Sequence, residues 1–322
     1  MANDTITAVE GLRVGHAEDN EARTGCTAIL FDQESDVACE ARGGWPGTYD
    51  THSIEVTKTF VKKHAIFLTG GDVFGFDCAL GIRRYLLEKS LASSTGVGKL
   101  PGIVGANIYD LSFASIQNAK YPDLGYAACK NASTQAVIEG NVGAGTGATV
   151  GKLIGIEHAT KGGCGTTAVA LPGGIVVGAL VITNALGNVF ENGKIIAGTR
   201  GEKRGQFLAF EDLIGEYLEQ AAKQNTTIGI VATNANLTHE QLIKVAQMAH
   251  NGFAMAIRPV HTSRDGDTIF AVSTAKLEVR GRERLVDVIG YMGSSCVADS
   301  IVRSVRAART LSNVPSCNDF SR

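Results

Sequence analysis

Apolar residues recur at helical spacing in three stretches of the chain. Between Gln206 and Gln224 one stripe is apolar and the opposite face carries glutamates, which predicts an amphipathic helix. Thr238 and Gln241 form a capping box before a second periodic stretch, so a second helix is predicted to begin at Thr238. A third helix is predicted from Leu285 to about Ala308, although two glycines inside it weaken the pattern.

Short runs that are almost wholly apolar predict buried β-strands. These runs are Ala65–Thr69, Thr167–Leu171, Gly174–Ile182, Thr227–Ala232 and Thr268–Ser273. Pro172-Gly173-Gly174 joins the second run to the third and predicts a hairpin turn. Strands with little polar alternation have both faces covered, so the sequence predicts a layered α/β fold. Since no stretch has the composition of a linker, one domain over residues 1–322 is predicted.

Composition and charge exclude several classes of function. Of the 322 residues 44% are hydrophobic and 19% are charged, which is too apolar for a disordered chain. The net charge is −2, and the basic residues are scattered, so neither nucleic acid nor an anionic membrane is predicted as a partner. The 39 glycines lie in short groups without a repeat period, which indicates many tight turns and close backbone contacts.

The N-terminus and the cysteines predict a cytoplasmic protein. The first five residues are not followed by a basic region and an apolar run, so no signal peptide is expected. The longest apolar stretch, Ile175–Ile182, is too short to span a bilayer. Seven widely spaced cysteines without a CxxC pair fit reduced, mostly buried thiols.

The sequence contains no convincing motif for binding a metal or a nucleotide. The seven histidines lack the paired spacing of a zinc site, and the GxSxG motif of the α/β-hydrolases does not occur. The glycine-rich stretch Gly143–Lys152 has only a formal match to the dinucleotide motif GxGxxA, and no strong strand precedes it. It is not a P-loop, because Thr146 replaces the first glycine and Leu153 follows the lysine. No cofactor and no metal are therefore predicted.

Several segments together resemble a known family. Upstream these are RGGWPGTYDT (Arg42–Thr51), LTGGDVFGFDCALGIRRYL (Leu68–Leu86), NVGAGTGATVGK (Asn141–Lys152) and LVITNALGNV (Leu180–Val189). Downstream, NTTIGIVATNANLT begins at Asn225 and HTSRDGDTIFAVST begins at His261. In this order they resemble the self-processing P1 peptidases, which include L-aminopeptidase/D-esterases, β-aminopeptidases and the nylon-oligomer (6-aminohexanoate oligomer) hydrolases. The resemblance runs from about residue 10 to about residue 310.

This resemblance implies a self-cleaving N-terminal-nucleophile amide hydrolase. It implies a layered αββα sandwich, cleavage between Asn225 and Thr226, and a homotetramer of the resulting heterodimers. The two fragments are residues 1–225 and 226–322. The chemistry gives a reason for the cut: a threonine hydroxyl needs an adjacent base, and the freed α-amino group has a pKa of about 7.7–8.0.

The resemblance also gives roles to two aspartates around Gly266. Asp265 and Asp267 are implied to orient the Thr226 hydroxyl and to hold its protonated amine. The Asp-Gly-Asp sequence resembles the nylon-oligomer branch, whereas aminopeptidase relatives carry a serine and a glutamate here. Taken by itself, Asp-Gly is a routine turn pair.

Three residues of the large fragment receive roles in the same way. Asn184 matches the asparagine that donates a hydrogen bond to the developing oxyanion, and Lys152 matches a lysine near the nucleophile. Tyr109 matches a tyrosine whose hydroxyl points into the site. Without the resemblance these would be a turn residue, a surface lysine and a core tyrosine.

Four functions follow from these interpretations. The leading one is an amidase that acts on linear ω-amino-acid oligomers or a similar natural amide. The alternatives are an aminopeptidase or β-aminopeptidase that requires a free substrate amine, and an acyltransferase of the ornithine acetyltransferase type. A glycine-rich nucleotide-binding module, the non-enzymatic alternative, predicts an intact chain without turnover.

Overall fold

The computed structural model describes residues 3–59, 61–96, 98–115, 119–219, 224–279 and 284–320. Within them the α-helices are α1 (Cys78–Glu88), α2 (Tyr121–Lys130), α3 (Ile214–Glu219), α4 (His239–Ala256) and α5 (Leu285–Ala307). The strands are β1 (Leu12–Asp19), β2 (Thr24–Ala41), β3 (Thr48–Tyr49), β4 (Lys62–Thr69), β5 (Ser93–Thr95), β6 (Gly98–Leu100), β7 (Ile103–Asn107), β8 (Thr149–Val150), β9 (Thr160–Lys161), β10 (Gly163–Ala170), β11 (Val176–Asn184), β12 (Asn188–Glu191), β13 (Lys194–Ala197), β14 (Thr226–Ala235), β15 (Ile257–Arg258) and β16 (Thr268–Leu277).

One mixed sheet contains nine strands of the described chain. Their order is β10-β11-β14-β16-β2-β4-β7-β3, and β1 pairs with β2 beside this path. The pairs β14–β16 and β4–β7 are parallel, and the other pairs are antiparallel. The long strand β2 joins two halves of the sheet: its first part pairs with β1 and β4, and its last part pairs with β16. The register shifts between Leu30 and Ser35, where β2 passes from one half to the other.

Alternate residues of the strands enter different apolar clusters, which identifies the layers. In β14, Ile228 and Ile230 face a central cluster that also contains Ile66 of β4, so the two half-sheets pack on each other. Val231 points the opposite way, into a cluster with α4 and α5. Phe67 of β4 faces a third cluster with α1 and α2. The layers are therefore helices, half-sheet, half-sheet and helices, and the αββα sandwich is confirmed.

Two of the predicted helices form as expected. Thr238 caps α4: its side chain accepts a hydrogen bond from the Gln241 amide, and the Gln241 side chain bonds back. The glycines of α5 do not break the helix. Gly290 lets α5 pack closely on α4, since a Cβ there would lie only 2.5 Å from Met248 Sδ. Within the described residues α5 alone is long and apolar enough to cross a membrane, but 56% of that window is buried inside the protein, as in a core helix.

The prediction that a helix begins at Gln206 is wrong. Gln206 closes a turn instead, where its carbonyl accepts a hydrogen bond from the Gly201 amide. Helical structure begins only at Phe210, as a 3₁₀ turn that leads into α3. Leu218, placed on the predicted apolar stripe, is 77% exposed. The end of the predicted helix includes residues 220–223, which lie outside the described residues.

The five predicted strands are all present, although most are longer than predicted. The hairpin between β10 and β11 forms as expected, with Ala170 opposite Val176. β10 begins at Gly163 rather than at Thr167, and β11 ends at Asn184. Every residue of β14 is buried, which agrees with a strand that is covered on both faces.

Candidate active site

The segment around residue 226 lies at the buried end of the central strand β14. Thr226 is its first residue and pairs with Asn184, the last residue of β11. On the other side Asn225 forms a β-bridge with Asp265, in the turn before β16. Asn225 and Thr226 are only 1% and 4% exposed. Because β14 lies between β11 and β16, the sheet brings Asn184 and the Asp265–Asp267 turn to the same place.

The peptide bond between Asn225 and Thr226 is held by hydrogen bonds on both sides. The chain is continuous here, so the site has the geometry of an uncut precursor. The Asn225 carbonyl oxygen accepts a hydrogen bond from the Gly266 amide at 2.8 Å and from Thr226 Oγ1 at 2.5 Å. The Asn225 amide donates to the Arg264 carbonyl at 3.1 Å. The threonine hydroxyl therefore lies directly beside the carbonyl group that precedes it.

Asp267 is a buried carboxylate that accepts three hydrogen bonds. Its Oδ1 accepts the Thr227 amide at 2.8 Å. Its Oδ2 accepts both the main-chain amide of His261 at 3.0 Å and His261 Nδ1 at 2.8 Å. The carboxylate thus contacts β14 at Thr227, the residue that follows Thr226.

Asp265 has a different environment, although only Gly266 separates it from Asp267. Its Oδ2 accepts the Thr262 amide at 2.8 Å, and its buried Oδ1 makes no hydrogen bond to a described residue. Burial, together with the nearby Asp267 charge, raises the pKa of Asp265 to about 6. Asp265 can therefore gain and lose a proton close to neutral pH.

Asn184, which is fully buried, and Lys152, which is partly buried, form one unit beside Thr226. Lys152 Nζ donates to Asn184 Oδ1 at 2.8 Å, to the Asn184 carbonyl at 3.0 Å and to the Thr149 carbonyl at 3.1 Å. Burial lowers the pKa of Lys152 to about 7, although Asp265 and two other aspartates oppose the shift. Lys152 is therefore not the surface lysine that its sequence context alone suggests.

Tyr109 lies next to this unit, on the wall of a small cavity. Its carbonyl accepts a hydrogen bond from Asn184 Nδ2 at 2.9 Å. The cavity is also lined by Lys152, Asn225 and Thr149. The cavity is about large enough for one water molecule. Among the described residues, this cavity beside the scissile bond is therefore too small for a substrate.

Two further ionisable residues are buried near the site, and the sequence analysis missed both. Asp110 is 2% exposed and accepts hydrogen bonds from the Gly71 amide at 2.7 Å and from Thr24 Oγ1 at 3.0 Å. Burial raises the pKa of Asp110 to about 6. Lys161 is fully buried and donates to three main-chain carbonyls, of Gly145, Ala148 and Gly162. It holds together the glycine-rich stretch that carries Lys152.

Lys161, which is fully buried, and Lys152, which is partly buried, should make stability rise with pH above neutrality. Each has a pKa of about 7 in the folded protein against 10.5 when exposed. Between these values the unfolded chain binds more protons than the folded one, so the free energy of unfolding increases with pH. Each lysine contributes up to about 1.4 kcal/mol per pH unit in this window. The buried aspartates Asp110 and Asp265, with pKa values of about 6, change protonation below this pH range.

Urea unfolding of an uncut Thr226→Ala chain at about pH 7 and about pH 8.5 measures this slope. Adding Lys161→Met is expected to remove the contribution of one lysine. A slope that is flat in the parent chain, or unchanged by Lys161→Met, contradicts the expectation.

Comparisons with known proteins were made over the whole chain. Residues 4–316 match peptidase family S58. An uncharacterized aminopeptidase of Mycobacterium tuberculosis is 31% identical, with 98% of each chain covered. A 6-aminohexanoate-oligomer endohydrolase of Kocuria sp. is 30% identical, over 92% of this chain and 84% of that protein. The L-aminopeptidase D-Ala-esterase/amidase of Ochrobactrum anthropi, a variant of the Ntn hydrolase fold, is 21% identical with a TM-score of 0.71 over 97% of this chain and 88% of that one, which shows a shared fold.

Proposed function

The chain belongs to peptidase family S58, and on this premise we propose that it is a self-processing amide hydrolase whose nucleophile is Thr226. One observation carries the proposal. Thr226 Oγ1 lies 2.5 Å from the carbonyl oxygen of Asn225, and the Gly266 amide donates to the same oxygen. A nucleophile and a donor for the developing charge thus meet at one peptide bond.

The first reaction is an internal acyl shift. Thr226 Oγ1 attacks the Asn225 carbonyl carbon and loses its proton to a base, and negative charge develops on the Asn225 oxygen. The bond from this carbon to the Thr226 nitrogen then breaks, the nitrogen gains a proton, and an ester remains. Water hydrolyses the ester to an Asn225 carboxylate and a free Thr226. A donor such as the Gly266 amide typically contributes a factor of about 10²–10³ to such a step.

The base of this first reaction has to be another residue, because the Thr226 nitrogen is still an amide. Efficient proton transfer needs a pKa near the working pH, and Asp265 and Lys152 meet this condition, with values of about 6 and 7. Lys152 is engaged with Asn184, whereas Asp265 adjoins Gly266, on which a Cβ would lie 2.8 Å from Thr226 Oγ1. We therefore assign proton acceptance in the cut to Asp265.

Cleavage then supplies the base for turnover. The new α-amino group lies on the same residue as the nucleophile, with a pKa of about 7.7–8.0. The Asp267 carboxylate, which contacts the next amide in the uncut chain, places negative charge beside the new ammonium group. Asn184, opposite Thr226 in the sheet, donates to the substrate oxyanion, and Lys152 holds Asn184 in position. Tyr109 completes the wall of the site.

The substrates we propose are 6-aminohexanoate oligomers or similar linear amides. The name of the Kocuria relative and the Asp265-Gly266-Asp267 sequence support this class. The second candidate is an aminopeptidase, which the mycobacterial relative's name supports. Linear 6-aminohexanoate oligomers with free and with acetylated amines separate the two, because only an aminopeptidase needs the free amine. Hydrolysis of the acetylated oligomer favours the first candidate.

Intact-mass spectrometry with N-terminal sequencing tests the cut itself. We expect two fragments, residues 1–225 and 226–322, whose masses add up to the precursor plus one water molecule. The smaller fragment should begin Thr-Thr-Ile-Gly. An active preparation that yields only the N-terminus of the full chain would leave the proposed enzyme without its catalytic amine.

A further inference from the structure

His261 binds one carboxylate oxygen of Asp267 twice. Its main-chain amide and its Nδ1 both donate to Oδ2, at 3.0 and 2.8 Å. Because a carboxylate only accepts hydrogen bonds, Nδ1 of His261 carries a hydrogen. With Oδ2 engaged in this way, Oδ1 faces the Thr227 amide at 2.8 Å. The orientation of Asp267 toward β14 is therefore set by His261.

The backbone of His261 adopts an uncommon conformation at this contact. Its φ is +57°, in the left-handed region that residues other than glycine seldom occupy. In this conformation both donors of His261 reach the same oxygen. Such conformations persist only where surrounding contacts enforce them, and they cluster at functional sites. The two bonds to Asp267 are contacts of this kind.

The imidazole ring is also held by packing against α4. Its centroid lies 4.9 Å from the ring of His250 and 5.9 Å from that of Phe253. His250 in turn makes a hydrogen bond through Nε2 to the Glu40 carbonyl at 2.9 Å. Burial lowers the pKa of His250 to about 4, so it adds no positive charge at neutral pH. The position of His261 is thus set by ring contacts with His250 and Phe253 and by its two hydrogen bonds to Asp267.

We propose that His261 is a positioning residue for the reaction of Thr226. It fixes Asp267 so that Oδ1 contacts the start of β14 before the cut and faces the new ammonium group after it. His261 itself does not touch the reacting atoms. This inference rests on the proposed function, in which Asp267 holds the Thr226 amine.

Two substitutions separate the Nδ1 bond from the backbone conformation. Asparagine and glycine both tolerate a left-handed φ, but only asparagine keeps an N–H donor near the position of Nδ1. For His261→Gly we expect self-cleavage and the kcat of the cleaved enzyme to fall on the order of 10²-fold, with KM within about twofold. For His261→Asn both rates should stay within about fivefold of the unsubstituted enzyme. Thermal unfolding of both variants reports any change in stability.

A double substitution tests whether His261 acts through Asp267. If it does, His261→Gly added to Asp267→Ala should slow cleavage no further than Asp267→Ala alone. Equal rates for the glycine and asparagine variants, or additive losses in the double variant, overturn the inference. If the glycine variant does not fold, a folded asparagine variant that is as slow as Asp267→Ala overturns it as well. A parent protein without a Thr226 N-terminus refutes the proposed function instead.

Discussion

Thr226→Ala is expected to remain one uncut chain and to lose amide hydrolysis on the order of 10⁶-fold. Alanine removes only the hydroxyl and a methyl group from the first residue of β14, so the strand and its pairing with Asn184 should persist. What disappears is the nucleophile of the cut and, because no cut occurs, also the amine that serves as base. One substitution therefore removes both parts of the proposed catalytic pair.

The neighbouring threonine is the matched control. Thr227 is fully buried in the same strand, and its hydroxyl makes no hydrogen bond to a described residue. Thr227→Ala should therefore still be cut after Asn225. Intact mass and turnover of a linear amide measure both variants. A Thr226→Ala chain that is cut and active, or a Thr227→Ala chain that stays whole, refutes the assignment of the nucleophile.

The elements that could be predicted from the sequence are those with one regular pattern. β14 and β16 are apolar on both faces, and α4 combines a capping box with an apolar stripe. The strand β2 was missed because Asp32–Ser35 are mostly exposed and polar where it passes between the half-sheets. Helices α1 and α2 were missed because glycines interrupt their patterns. Those glycines make contacts: a Cβ on Gly81 would lie 1.8 Å from the Pro122 carbonyl oxygen, and one on Gly125 would lie 2.1 Å from that of Cys78.

The candidate site divides in the same way. Thr226, Asp265 and Asp267 lie in sequence segments that resemble a family, so they could be named without a structure. Lys161 and His261 could not, because their importance depends on contacts that only the folded chain makes. A single lysine among glycines looks solvent-exposed, and a histidine six residues before an aspartate has no recognisable spacing. The structure shows Lys161 fully buried and His261 bound to Asp267.

The segment Arg42–Thr51, one of those that resemble the family, lies directly on the turn that holds the scissile bond. The amides of Arg42 and Gly43 donate to the Asp267 carbonyl at 3.0 and 3.3 Å, and the Trp45 amide donates to the Asp265 carbonyl at 2.8 Å. A Cβ on Gly43 would lie 2.2 Å from the Asp265 carbonyl oxygen. The turn is therefore enclosed between this segment and β14, and its central residue has little space for a side chain.

Gly266→Ala is accordingly expected to slow self-cleavage on the order of 10²-fold or more, so that the uncut precursor accumulates. The added methyl group would lie 2.8 Å from Thr226 Oγ1 and 2.8 Å from the Trp45 carbonyl oxygen, which are closer than real Cβ contacts. Either the nucleophile moves or the turn does, and a shift of the turn also moves the amide that donates to the Asn225 carbonyl.

Gly215→Ala, in α3, is the control, because a Cβ there meets no atom of the described residues within 4 Å apart from the helix's own backbone. It should be processed at the unsubstituted rate, with stability equal or slightly higher, since alanine favours a helix. The fraction of precursor over time, measured by gel densitometry after a pulse of synthesis, gives both rates. If Gly266→Ala and Gly215→Ala are cut equally fast, the close contact between Gly266 and the nucleophile has no part in the reaction. In that case neither the Gly266 amide nor the position of Thr226 Oγ1 in the uncut chain supports the proposed acyl shift.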